Sequence, residues 1–218
     1  MDVLYIIGGG SSWNNDELRY SLRSLKNCQD VDKVWIVGNK PAFLRNIEYL
    51  WVEDKFEWWK NAFIKTKAAI ESGISKDFLL MNDDFFMLEP FRADEYPYYH
   101  KGELPQDEEN EYRKVLFNTR RILEELGKTT YHFGVHCPIR INGEKYLKLE
   151  KYFNQPVSAR CLYGNFYCNG VKIEDNKGSV VKPSESKCYS ANDAVTLDTF
   201  KELNRLFPDP SQWEDSNV

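Results

Sequence analysis

Chemistry is concentrated in one stretch of this 218-residue chain, Asp77-Phe78-Leu79-Leu80-Met81-Asn82-Asp83-Asp84-Phe85-Phe86-Met87, where an apolar run stops at two adjacent carboxylates and then resumes. Such a run reads as a buried strand delivering acids to the edge of a sheet. Ionised carboxylates are costly among apolar neighbours unless a cation or hydrogen-bond donors compensate. Asp83 and Asp84 therefore point to Mg or Mn, which take oxygen ligands, or to a phosphate-bearing ligand held through such an ion. The same pattern serves a strand-end turn in which Asn82 and Asp83 cap backbone amides and Asp84 is solvated. Residue types alone leave the two readings level.

Gly8-Gly9-Gly10, followed by Ser11, Ser12 and Asn14, is a second candidate. It has neither the GxGxxG spacing nor the Lys-Ser/Thr of a P-loop. It does follow an apolar run and lead into a helix, where amides and small hydroxyls favour an anion, so the ribose or phosphate of a nucleotide would suit it. His136 lies in the extended, proline-bounded stretch Thr130–Pro138, and reads equally as a backbone-bonded histidine and as a general base or metal ligand. His132 and His100 have weaker claims. Asn192-Asp193 has the form of an N-cap before the last helix. Arg19 and Arg23 read as solvated, although an arginine beside a phosphate can clamp it in bidentate fashion.

The elements that must position these groups alternate. Val3–Ile7 is a first strand. A helix follows, with Asn14 and Glu17 as an Asn form of the capping box and Leu18, Leu22 and Leu25 at helical spacing. Lys33–Gly38 is a second strand, a short irregular helix is expected at Ala42–Arg45, and Glu48–Val52 is extended. A helix over about Glu57–Ser72, with Trp59, Ala62, Phe63, Thr66, Ala69 and Ile70 on its face, ends at Gly73 and feeds the strand carrying the acids. Strand and helix in alternation predict an α/β fold with a mainly parallel sheet, whose ligands sit at the carboxyl ends of the strands. The glycine loop and the acids would then share one edge.

The second half decorates the first. Arg92–Pro105 reads as a lid loop, and a helix carries Tyr112, Leu116, Thr119, Leu123 and Leu126. A further helix is expected over Glu144–Phe153, a strand over Ser158–Tyr167, a polar loop over Ile173–Ser186 and a last helix through Leu197, Phe200, Leu203 and Phe207. Residues 1–208 are expected to form one domain, with 209–218 a loose tail.

Composition bounds the function. With 42% hydrophobic and 15% aromatic residues the chain can bury a full core, and a net charge of −5 gives no general attraction to nucleic acid. Arg113, Lys114, Arg120 and Arg121 are the one candidate basic strip, on a helix where such clusters are more often a solvated face. Five scattered cysteines without a CxxC pair read as reduced thiols rather than a disulfide or zinc framework. There is no basic leader and no run of membrane-spanning length, so a cytoplasmic location with no membrane partner is expected.

Asn15-Asp16-Glu17-Leu18-Arg19-Tyr20-Ser21-Leu22-Arg23-Ser24-Leu25, then Val34-Trp35-Ile36-Val37 and Phe78–Phe86, closely resemble the Stealth family of sugar-phosphate transferases over roughly the first ninety residues. Asp2–Ile6 is similar to a shortened first block of that family, His136-Cys137-Pro138 to its third and Asn192-Asp193 to its last. The chain departs from the pattern in lacking Trp-Val-Asp after Tyr5 and in having Ala194 where a second acid is expected. It also resembles small phage-encoded glycosyltransferases of GT-A fold, some of which act on hydroxymethylated DNA. The resemblance implies a GT-A-like, Rossmann-related enzyme that takes a nucleotide-diphosphate sugar, UDP-sugar in the first instance, with Mn or Mg. Asp84, Asp83 and His136 would be metal ligands, and Asp84, His136 and Asp193 catalytic. Gly8, Gly9, Gly10, Ser11, Ser12, Arg19, Asn82 and Asp83 would bind the donor. The acceptor would be a glycan or modified phage DNA, and a phage-encoded enzyme would act in the host cytoplasm. Glycosyl transfer is the leading expectation; sugar-1-phosphate transfer and a non-catalytic nucleotide- or glycan-binding module are the alternatives.

Overall fold

The computed structural model describes residues 1–11, 13–192 and 196–215. Its centre is a five-stranded sheet. Strand β1 (Asp2–Ile7) is buried along almost its whole length, as an inner parallel strand covered on both faces must be. It pairs in parallel with β2 (Val34–Gly38) on one side and β4 (Asp77–Met81) on the other. β3 (Glu48–Leu50) extends the sheet beyond β2, and β6 (Ile139–Asn142) runs antiparallel to β4, giving the order β3-β2-β1-β4-β6. Period-two alternation sends Val3, Tyr5 and Ile7 into one core and Leu4 into the other.

The first core is closed by helix α1 (Asp16–Ser24) through Leu18 and Leu22. The second is closed by α2 (Trp58–Glu71), α3 (Glu111–Glu125), α4 (Gly143–Leu147) and α5 (Ala159–Tyr167). After the acids the chain enters β5 (Phe85–Met87), which leaves the main sheet and pairs antiparallel with β8 (Cys188–Ala191); β7 (Lys177–Gly178) completes this small sheet. Helix α6 (Leu197–Leu206) packs there through Leu203.

Because Tyr5 pairs with Met81 in a parallel register, Gly8 and Asn82 leave the sheet side by side, on the shared edge that the alternation of elements predicts. Gly38 ends β2 at φ +110°, and a Cβ there would stand 2.1 Å from the Ile7 carbonyl oxygen, so only glycine lets β2 close against β1 at this edge. Lys65 of α2 is buried beneath it, its ammonium held 3.0 Å from the Ile7 oxygen and 2.6 Å from Asp54.

Several elements differ from expectation. Ser158–Tyr167 is not a strand: Ser158 caps α5 by accepting from the Cys161 amide, and Gly164 lies under the Phe133 ring, where a Cβ would come within 2.2 Å. There is no capping box at Asn14. Asn14 and Asn15 turn through the left-handed region, and Ser11 Oγ takes the Asn15 amide at 2.8 Å instead. Ala42–Arg45 is a turn bridged to Glu214, and Glu144–Phe153 splits into α4 and a 3-10 turn at Glu150–Tyr152. Tyr112 and Leu126 overhang the ends of the α3 face, each 46% exposed. The stretch Arg92–Pro105 is not an open lid, since Tyr96 is buried and donates to the Ser186 carbonyl at 2.6 Å. Nor do residues 209–215 hang loose: Trp213 and Glu214 are buried, and Arg23 grips the Glu214 carboxylate at 2.9 Å.

Candidate active site

The acids sit where the chain passes from the main sheet to the small one. Phe78, Leu79, Met81, Phe85 and Phe86 are all buried, so the only wet part of the run is the tight turn at 82–84, closed by the Phe85 amide on the Asn82 carbonyl at 3.3 Å. Asp84 accepts from Ser190 Oγ at 2.7 Å, and its carbonyl takes the Ala191 amide. Asp83 is different. Burial first, then the charges of Asp84 and of Glu17, push its carboxyl up to about 7. Glu17 comes from the first turn of α1, and its Oε2 is buried without a hydrogen-bond partner.

Three oxygen acids with so little compensation have the chemistry of a hard-cation site. Among the described residues no three His, Cys, Asp or Glu side chains converge closely enough to hold a metal by themselves. This suits an Mg-type ion, held by one or two carboxylates and otherwise by water and substrate oxygens. His136 is not gathered with the acids as the expected third ligand.

His136 is instead one half of a pair with Asp175. The imidazole Nδ1 lies 2.7 Å from Asp175 Oδ2, and the His136 amide donates to Oδ1 at 2.9 Å. Lys101 Nζ holds the same carboxylate at 2.7 Å. Burial alone would raise the Asp175 carboxyl, but these donors hold it well below the usual carboxylate range. A histidine fixed through Nδ1 leaves Nε2 for proton transfer. Asp175 lies in the polar loop after Ile173, where nothing local marks it.

A cavity of about 590 Å³ joins these groups; it is lined by Gly8, Gly10, Ser11, Glu17, Asn82, Asp83, His136, Ser158 and Arg160 among others. That size is within the ~300–1,000 Å³ of small-molecule sites. Arg160 stands in the first turn of α5, its guanidinium donating to the Phe133 carbonyl at 2.9 Å and to the Cys137 carbonyl. Reading this segment as a strand hid both Arg160 and the helix N-terminus. A second cavity, of about 370 Å³, lies across Glu17 and Asp83 and adds Asp84, Lys177 and Asn192.

Other expected residues fall elsewhere. Gly9 lines neither cavity and packs on Asn39, where a Cβ would stand 3.0 Å from the amide nitrogen. Ser11 lines both, although its hydroxyl already serves the entry to α1. Arg19 is turned away, over the Phe43 ring at 3.8 Å and towards Asp16 and Glu214. Ser12 and Asp193 lie outside the described residues. On α3, Arg113, Arg120 and Arg121 pair with Asp107, Glu124 and Glu125, as on a solvated face rather than a basic strip.

No family model matches the chain. It is 26% identical over 179 residues to the capsular polysaccharide phosphotransferase SacB of Neisseria meningitidis serogroup A, covering 70% of this chain and 32% of the relative. It is 27% identical over 172 residues to an exopolysaccharide phosphotransferase of Streptomyces coelicolor, covering 66% of this chain and 18% of the relative. The chain thus spans a third or less of the curated relatives it matches. In structure it resembles the galactosyltransferase LgtC, solved with donor and acceptor sugar analogues, at a TM-score of 0.51 and 12% identity over 99% of this chain and 98% of that one. The fold is GT-A-like, and the sequence resemblance is to Stealth-type phosphotransferases.

Proposed function

We propose that this Stealth-like chain transfers a sugar-1-phosphate from a nucleotide-diphosphate sugar to an acceptor hydroxyl. The observation that carries the reading is the meeting, in one cavity, of an under-compensated acid cluster, an oriented histidine and an arginine at a helix N-terminus.

An acceptor hydroxyl must lose its proton as it attacks, and His136, held by Asp175, takes that proton at Nε2. The acceptor oxygen bonds to the phosphorus that carries the sugar. The bond from that phosphorus to the bridging oxygen breaks, nucleoside monophosphate leaves, and the sugar C1–O bond is kept. Asp83 and Asp84 would hold Mn or Mg, which when bound neutralises charge on the diphosphate. Arg160 and the N-terminus of α5 favour the phosphoryl oxygens from the protein side. Gly8 and Gly10 leave room for the nucleotide backbone to approach.

The same groups serve glycosyl transfer, in which the acceptor attacks the sugar carbon and nucleoside diphosphate leaves. The reading settles on phosphorus because the relatives matching about two thirds of the chain are phosphotransferases. A panel of nucleotide sugars, UDP-sugars first, with Mn or Mg and mass spectrometry of the nucleotide product tests it. Monophosphate is expected. Diphosphate would replace phosphosugar with glycosyl transfer, and an untouched panel would leave a binding module.

A further inference from the structure

Two aromatic side chains beside the histidine take no part in that chemistry. Trp58 opens α2 and Tyr112 stands in the first turn of α3; both line the cavity, yet they stay 49% and 46% exposed. Their ring centroids are 5.8 Å apart with planes 31° from parallel, so they form one continuous apolar platform at the cavity mouth. The neighbouring Trp59 does the anchoring instead, stacked on Phe153 at 6.3 Å. Large rings left open at a cavity mouth mark a place where something docks.

The platform stands on the side of the base. The Tyr112 hydroxyl is 3.6 Å from where a Cβ on Gly134 would be, two residues before His136. Asp175, the partner of His136, and Arg160 are the charged side chains whose fields reach the Tyr112 phenol. A group stacked on these rings is therefore beside the atom that removes the acceptor's proton.

We propose that Trp58 and Tyr112 form the acceptor subsite and that the acceptor presents a sugar ring to it. A pyranose has apolar C–H faces and hydroxyls around its rim, so stacking one face on the indole and phenol turns the rim towards His136. A nucleobase is the other flat group that stacks on such rings. The inference rests on the proposed transfer for the role of His136, but an acceptor sugar needs this seat whichever donor bond breaks.

The test uses the full chain without donor. Saturation-transfer NMR is run with methyl glycosides of glucose, galactose, mannose and N-acetylglucosamine, on wild type, Trp58→Ala and Trp58→Phe. Signal is expected on the C–H protons of one sugar face for at least one glycoside, falling at least about fivefold in Trp58→Ala and kept in Trp58→Phe. Calorimetric binding of UDP with Mn should stay within about twofold, and the half-exposed position should leave the melting temperature of Trp58→Ala unchanged. No glycoside signal in the wild type, or signal that survives Trp58→Ala, overturns the proposal. A loss of UDP affinity of about tenfold would make the platform a nucleobase seat. The nucleotide product of turnover is read separately and is independent of these results.

Discussion

Replacing Asp83 with Asn should make the metal-free protein more stable at pH 8 while removing its response to divalent cations. In the folded protein the Asp83 carboxyl titrates at about 7 against 3.8 for the ordinary side chain, because it is buried beside Asp84 and Glu17. Between those values the unfolded chain binds fewer protons than the folded one, so stability falls as pH rises through the window and levels off above it. The full difference corresponds to ~4 kcal/mol, and an amide of the same shape should recover between ~1 and ~4 kcal/mol of it. For a chain of this size each 1 kcal/mol moves the melting temperature by ~2–4 °C. Thermal unfolding followed by circular dichroism, in chelator and at pH 4, 6 and 8, should show Asp83→Asn melting at least ~2 °C above wild type at pH 8, with the advantage shrinking towards pH 4. Adding Mn or Mg at pH 8 should raise the wild type and leave the variant where it was. A variant no more stable than wild type at pH 8, or an advantage independent of pH, would refute the reasoning.

Two further outcomes follow from the hydrogen bonds. Asp175→Asn removes the carboxylate that orients His136, and turnover of the donor identified by the nucleotide-sugar panel should drop by ~10²–10⁴ while calorimetry shows donor binding retained; near-normal turnover would remove His136 from the base role. Glu214→Ala leaves Arg23 buried without its carboxylate and should cost ~3–5 kcal/mol in urea unfolding, whereas a loss below ~1 kcal/mol would mean the segment at 209–215 is not docked.

The parts of the fold visible in the sequence were those whose signal is local. The buried runs at Val3–Ile7, Val34–Gly38 and Phe78–Met81 are continuous and apolar, and Gly73, at φ +95°, ends α2 where the spacing says it should. The acids stood out because nothing apolar tolerates two adjacent carboxylates cheaply. What escaped depends on distant partners. Helix α5 is rich in aromatic residues and reads as extended, but Phe133, far away in sequence, covers Gly164 and makes the helix the fitting conformation. Asp175 sits in a loop whose composition says only that it is polar. Arg19 follows the glycine loop closely enough to suggest a phosphate clamp, yet Glu214, at the other end of the chain, lies 3.6 Å from its guanidinium and draws it away from the cavity. Glu17 was read as half of a capping box, and its meeting with Asp83 exists only once α1 is packed beside the acid turn.

The most direct test of the central claim is the fate of one oxygen. A nucleotide-diphosphate sugar carrying ¹⁸O between sugar C1 and its phosphorus is turned over with acceptor and Mn, and the products are weighed by mass spectrometry. Attack at phosphorus, as the account has it, carries the label and the phosphate into the acceptor product and releases unlabelled nucleoside monophosphate. Label recovered in nucleoside diphosphate would mean that the C1–O bond had broken, and would contradict it.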